Sequence, residues 1–151
     1  MTATLSAGTE PATSHAASTR RTVALTAAGV VVAGAATTIV ALTVTALGVA
    51  DDFAPLRPAL YLPFVAIGVI ATVIGWRTIR SRTANPAAVL RVLVPAVLVA
   101  SFVPDAILIV TRFIPGTTLI GGLSLSVMHV IVAAVAVPLA QRIAPVHGWR
   151  R

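Results

Sequence analysis

The sequence predicts an all-α integral membrane protein, a bundle of four transmembrane helices. Three observations carry this reading. Only 10% of the 151 residues are charged and 58% are hydrophobic, against about 25% and 45–50% in soluble domains. The mean hydropathy is +0.99. The apolar residues also fall in blocks long enough to cross the hydrocarbon, for which about 20 residues suffice. The charges lie almost entirely between the blocks.

All 11 cations are arginine, set against Glu10, Asp51, Asp52 and Asp105. A net charge of +7 would suggest nucleic acid as the partner of a soluble protein. Here the arginines flank apolar blocks and set orientation instead, so no nucleic-acid partner is expected. The absence of cysteine excludes disulfides and thiolate metal sites. No catalytic, nucleotide or metal-binding motif is present, so neither an enzyme nor a cofactor is expected.

Residues 1–21 are mostly Ala, Thr, Ser, Gly and Pro, with Glu10 and His15. They show no periodicity and too little apolar surface to offset ordering, which predicts a disordered cytoplasmic segment. The membrane domain is expected over 22–142. Its first helix lies near 23–48, within 29 uncharged residues that follow Arg20-Arg21. Thr19 to Val23 resembles a twin-arginine signal and Gly48-Val49-Ala50 a cleavage site. A signal core is only about 7–15 residues, however, so the first span is expected to be retained. Asp51, Asp52, Pro55 and Arg57 form a loop, and Pro58 suits the first turn of a second helix near 59–77. Asn85-Pro86 reads as an N-cap and first-turn pair for a third helix that crosses near 90–111. Pro95 and Pro104 predict kinks in it. Arg112, Pro115 and Gly116 make a turn into a fourth helix near 119–140. A short basic tail, 143–151, completes the chain.

With four spans, nine arginines (20, 21, 77, 80, 82, 91, 142, 150 and 151) share one side, and Arg57 and Arg112 the other. The positive-inside rule places both termini in the cytoplasm of a bacterial inner membrane. Phe53, Tyr61 and Phe113 fall at the outer boundary and Trp76 at the inner one, as aromatic belts do.

Asp105 is the only acidic residue inside a span, and an intramembrane carboxyl is a functional candidate by default. His129 is the only histidine inside a span. The tight turn at 112–118 predicts an antiparallel hairpin of helices three and four. Asp105 starts about 10 Å below the outer boundary and His129 about 14 Å. Side chains lean toward their own helix N-terminus, which brings both to roughly the same depth, so a hydrogen bond or ion pair is open to them. Ser101 lies one turn below Asp105 and Arg112 two turns above. Ser126, His129, Ala133 and Ala136 share a face of the fourth helix. The cluster reads as a structural clamp or, alternatively, as a proton or ligand site.

In the first span Gly29, Ala33, Thr37, Ala41 and Thr45 recur every four residues, a spacing that lets helix backbones approach closely. It serves packing within the bundle or, alternatively, a homodimer. Arg77, Arg80, Arg82 and Arg91 are a topology signal that could also meet anionic lipid headgroups.

Ser101-Phe102-Val103-Pro104-Asp105, with Met128-His129-Val130-Ile131-Val132-Ala133-Ala134 and Pro138, resembles an uncharacterised family of small four-span membrane proteins of actinomycete-type bacteria, domain of unknown function 6069. The likeness covers roughly residues 22–142. Its proline–aspartate step corresponds to Pro104-Asp105 and its methionine–histidine pair to Met128-His129. The resemblance implies a four-span fold in the membrane and supplies no activity. The leading expectation is a structural or accessory membrane component whose partners are the lipid bilayer and a second copy or another membrane protein. The alternative is a small proton-coupled transporter or channel subunit that uses Asp105 and His129.

Overall fold

A computed structural model describes residues 12–49 and 53–149 of the chain. The chain folds into four long helices: α1 (Ala12–Ala46), α2 (Pro58–Arg82), α3 (Pro86–Thr111) and α4 (Leu119–Ile143), with a short 3-10 turn at Ala54–Leu56 before α2. Each is long and apolar enough to span a membrane. The protein is thus an all-α, multi-pass membrane bundle, as the composition requires.

Local chemistry sets the ends. α1 stops at Gly48, whose φ of 93° is a left-handed conformation that glycine adopts without a Cβ clash. Gly48 N–H donates to Thr45 O and Val49 N–H to Val44 O, the two bonds of a Schellman cap. Asn85 caps α3 by accepting from Ala88 N–H at 3.1 Å, with Pro86 in the first turn. Thr118 caps α4 through Gly121 N–H at 3.0 Å.

Two expectations about the ends are corrected. Residues 12–21 belong to α1 rather than to a disordered segment; extending a helix that the membrane span has already nucleated costs little, and the stretch is alanine-rich. Residues 1–11, like Asp51 and Asp52, lie outside the described residues. α2 also runs past Arg77 to Arg82, so Arg77, Arg80 and Arg82 lie on the helix and the connection to α3 is only residues 83–85.

α4 is the central element, packed against α1, α2 and α3. α1 also packs along α2, whereas α2 and α3 meet only sparingly. The core has two parts, one toward the α1–α2 loop, with Ala33, Phe53, Tyr61, Val69, Leu108 and Met128, and one toward the α2–α3 connection, with Val73, Trp76, Leu90, Ala140, Ala144 and Val146. Large apolar side chains such as Val31, Phe64 and Val110 face outward, as lipid permits. Close approach at the start of α4 depends on glycine. A Cβ on Gly122 would overlap Ile109 of α3, and one on Gly121 would lie 3.0 Å from Phe53 Cε1.

The expected aromatic belt is largely overturned. Phe53 and Trp76 are each only 1% exposed, and Tyr61 is buried, its hydroxyl donating to Thr38 Oγ1 at 2.8 Å. Hydropathy fixed their depth, but packing turned them inward. Phe113 alone of the four is exposed.

The segment after α4 folds back over the cytoplasmic-predicted end. Gln141 uses its side-chain amide to donate to Val146 O and to accept from Val146 N–H, both at 3.2 Å. Trp76 Nε1–H donates to Ala144 O at 2.9 Å. Trp149 meets Trp76 edge-on with ring centroids 5.0 Å apart, and Arg91 donates to Gly148 O. The expected short basic tail is therefore packed up to residue 149, the last one described.

Candidate functional site

Most hydroxyls in the spans bond back to their own helix. Thr37 Oγ1, fully buried, donates to Ala33 O at 2.9 Å, and Ser101 Oγ to Leu98 O at 2.6 Å. Such bonds satisfy the group without tying helices together. Asp105 and its neighbours behave differently.

Asp105 is 5% exposed and faces α4. Its Oδ2 accepts from Ser126 Oγ at 2.8 Å and lies 3.3 Å from His129 Nδ1. The expected contact between Asp105 and His129 is present. Ser126 and His129, three residues apart on α4, lie on one face and flank the carboxyl. Sequence reasoning placed Ser126 on that face without pairing it with Asp105, although the same spacing rule would have done so.

His129 Nδ1 also lies 2.8 Å from Leu125 O. A carbonyl only accepts, so Nδ1 carries a hydrogen. That hydrogen is directed at Leu125 O, and the 3.3 Å approach of Asp105 Oδ2 is a charge-range contact beside it. Phe102 of α3 meets the imidazole edge-on, with centroids 6.4 Å apart. The His129 side chain is 42% exposed, and Nε2 makes no hydrogen bond among the described residues.

Where α2 and α3 splay apart, a groove of about 810 Å³ opens, with α4 as its floor. Its walls are almost wholly apolar. The polar side chains in its lining are Tyr61, Thr72, Trp76, Ser101, Asp105 and His129, and Gly68 of α2 also lines it.

The other sequence candidates lie elsewhere. Arg112 is not part of the cluster. It is exposed and forms the left-handed C-cap of α3, with φ 49° and its N–H on Leu108 O. Two turns of helix separate it from Asp105, and the left-handed step carries the chain away from that face. Gly29, Ala33, Thr37 and Ala41 are buried; a Cβ on Gly29 would overlap Leu139 of α4, so the row packs inside the bundle. Thr45 departs from it: its side chain is exposed and its carbonyl serves the Gly48 cap. Arg77, Arg80, Arg82 and Arg91 are all exposed at one end, and Arg91 also holds the C-terminal segment. No group of three or more His, Asp or Glu that could hold a metal occurs among the described residues.

Fold and site together define a class: a four-helix membrane bundle with a polar cluster between α3 and α4, beside a largely apolar groove. No protein-family model, no curated protein and no solved structure matches the chain.

Proposed function

We propose that the protein is a small accessory component of the bacterial cytoplasmic membrane, with both termini in the cytoplasm, that works by association within the bilayer and not by catalysis. The observation that carries this reading is the closure of the polar cluster. Asp105 Oδ2 is engaged by Ser126 and His129, and Nδ1 of His129 by Leu125 O. These contacts tie α3 to α4, with the Ser126 hydroxyl donating across the helices to Asp105, the role of interhelical polar groups in a membrane bundle. Asp105 and His129 are also the only carboxyl and the only imidazole in the four spans. Conduction would call for polar groups at several depths. The nine-to-two arginine distribution supports the orientation, and the likeness of the 101–105 and 128–138 motifs to the uncharacterised four-span family supports the setting.

The second reading, a proton-coupled transporter or channel subunit, is favoured by one observation: His129 is half exposed on the groove while paired to a carboxyl. Proteoliposomes with an imposed pH gradient decide between the two. The accessory reading expects no proton flux above empty vesicles and no change in Asp105→Asn. Flux in the native protein that Asp105→Asn abolishes would replace it with the transporter reading.

A further inference from the structure

The groove between α2 and α3 combines three properties. Its volume, about 810 Å³, falls within the roughly 300–1,000 Å³ of small-molecule sites. Its walls are apolar, with a few convergent polar groups, which is the usual make-up of such sites. And its lining includes His129, whose Nε2 has no hydrogen-bond partner among the described residues.

That nitrogen limits the chemistry of an occupant. With the hydrogen on Nδ1 fixed toward Leu125 O, a neutral imidazole leaves Nε2 as a lone-pair acceptor. If the proton of the cluster instead sits on His129, Nε2 becomes an N–H donor. A hydroxyl satisfies both states, since it donates in the first and accepts in the second. An ether or carbonyl satisfies only the second, and a hydrocarbon neither. A charged or zwitterionic headgroup is disfavoured, because His129 starts about 14 Å from the outer boundary and a charge there would be stripped of water.

The groove also gives the occupant a direction. Gly68 lines the groove on the α2 side, and its missing side chain lets α2 pack closely on Val132 of α4, which would stand 3.2 Å from a Cβ there and lies about one turn from His129. From Gly68 the walls continue past Trp76 to Ile79, about 12 Å and about 16 Å further along α2 at 1.5 Å per residue. A head at His129 therefore has room for a chain running inward past Trp76.

We propose that the groove between α2 and α3 binds a lipid alcohol, its hydroxyl on His129 Nε2 and its apolar chain along the groove toward Trp76. This goes beyond the accessory reading and does not depend on it, since a transporter could hold the same ligand; proton flux tests the one and direct binding the other.

Trp76 supplies the assay. The full chain carrying Trp149→Phe, which keeps Trp76 as its sole tryptophan, is titrated in lipid nanodiscs with 12-bromododecan-1-ol, whose bromine quenches indole on contact. The methyl ether of that alcohol and 1-bromododecane serve as controls. The expected result is saturable quenching by the alcohol, with the ether and the bromoalkane weaker by roughly three- to tenfold, the worth of one hydrogen bond. His129→Phe should keep the quenching but erase the preference for the alcohol. Equal quenching by all three probes in native His129 protein would overturn the proposal, since it describes a groove filled by any chain. So would no quenching by any of them, which would mean that the groove is closed or covered by another helix. Neither result depends on the His129 variant folding.

Discussion

The hydrogen bond of His129 to Leu125 O makes the polar clamp unequal, and the inequality can be measured. Asp105 Oδ2 takes an undivided hydrogen bond from Ser126 Oγ at 2.8 Å. From His129 it has only a 3.3 Å contact, because the Nδ1 hydrogen is directed at Leu125 O, 2.8 Å away. Removing Asp105 therefore costs Ser126 its only partner across the helices, whereas His129 keeps Leu125 O. Interhelical polar couplings in membrane proteins average about 0.6 kcal/mol and reach about 1.7 kcal/mol. The Ser126–Asp105 coupling should lie in the upper part of that range, and the His129–Asp105 coupling at or below about 0.6 kcal/mol. The assay is a pair of double-mutant cycles, Asp105→Ala with Ser126→Ala and Asp105→Ala with His129→Ala, read by reversible unfolding in mixed micelles. A His129 coupling equal to or larger than that of Ser126 would refute the assignment of the hydrogen to Leu125 O. Additive effects in both cycles would show that the cluster does not fasten the helices.

Three further outcomes follow from the packing. Gly122→Ala should destabilise by about 1–3 kcal/mol, because a new Cβ meets the stiff, branched side chain of Ile109; the gain in helix propensity, at most about 1 kcal/mol, offsets only part of this, and a rise in unfolding midpoint would contradict the close approach. Trp76→Phe should cost about 1–3 kcal/mol by leaving the Ala144 carbonyl unpaired, and should raise proteolysis after residue 143; unchanged protection of that segment would show that the indole does not hold it. Reporter fusions at 54 and 116 should be periplasmic and those at 84 and 151 cytoplasmic; a periplasmic signal at 84 would reverse the assigned orientation.

The sequence made depth legible and direction around each helix much less so. Apolar block lengths located four helices, and Asn85-Pro86 marked the start of α3, because an Asn cap and a proline in the first turn act locally. Depth counting paired Asp105 with His129 because a tight turn leaves little freedom in the register of a hairpin. The same counting put Phe53 and Trp76 at the interfaces but could not show that they point inward, since that depends on Gly121 and Ala144 far along the chain. Arg112 failed as a site residue for a related reason. Helical spacing carried it onto the face of Asp105, but it sits where the helix ends. α2 extended past Arg77 because arginine is a good helix former and its long side chain can reach water from a helix near the membrane surface. The groove was not legible at all, because it arises from α2 and α3 both choosing α4 over each other.

The staple between Trp76 and Ala144 has a consequence for synthesis. The two residues are 68 positions apart, and at about 5–20 residues per second the ribosome takes several seconds to make the intervening chain. During that interval α2 can enter the membrane, but its indole N–H has no partner at the cytoplasmic-predicted edge. Early assembly must then rest on α1 and α2, joined by the Tyr61–Thr38 bond, with the inner end unfinished until α4 arrives. Insertion is expected to proceed as an α1–α2 hairpin that waits for the α3–α4 hairpin. A chain arrested before Ala144 would expose Trp76, a ready mark by which quality control could recognise it.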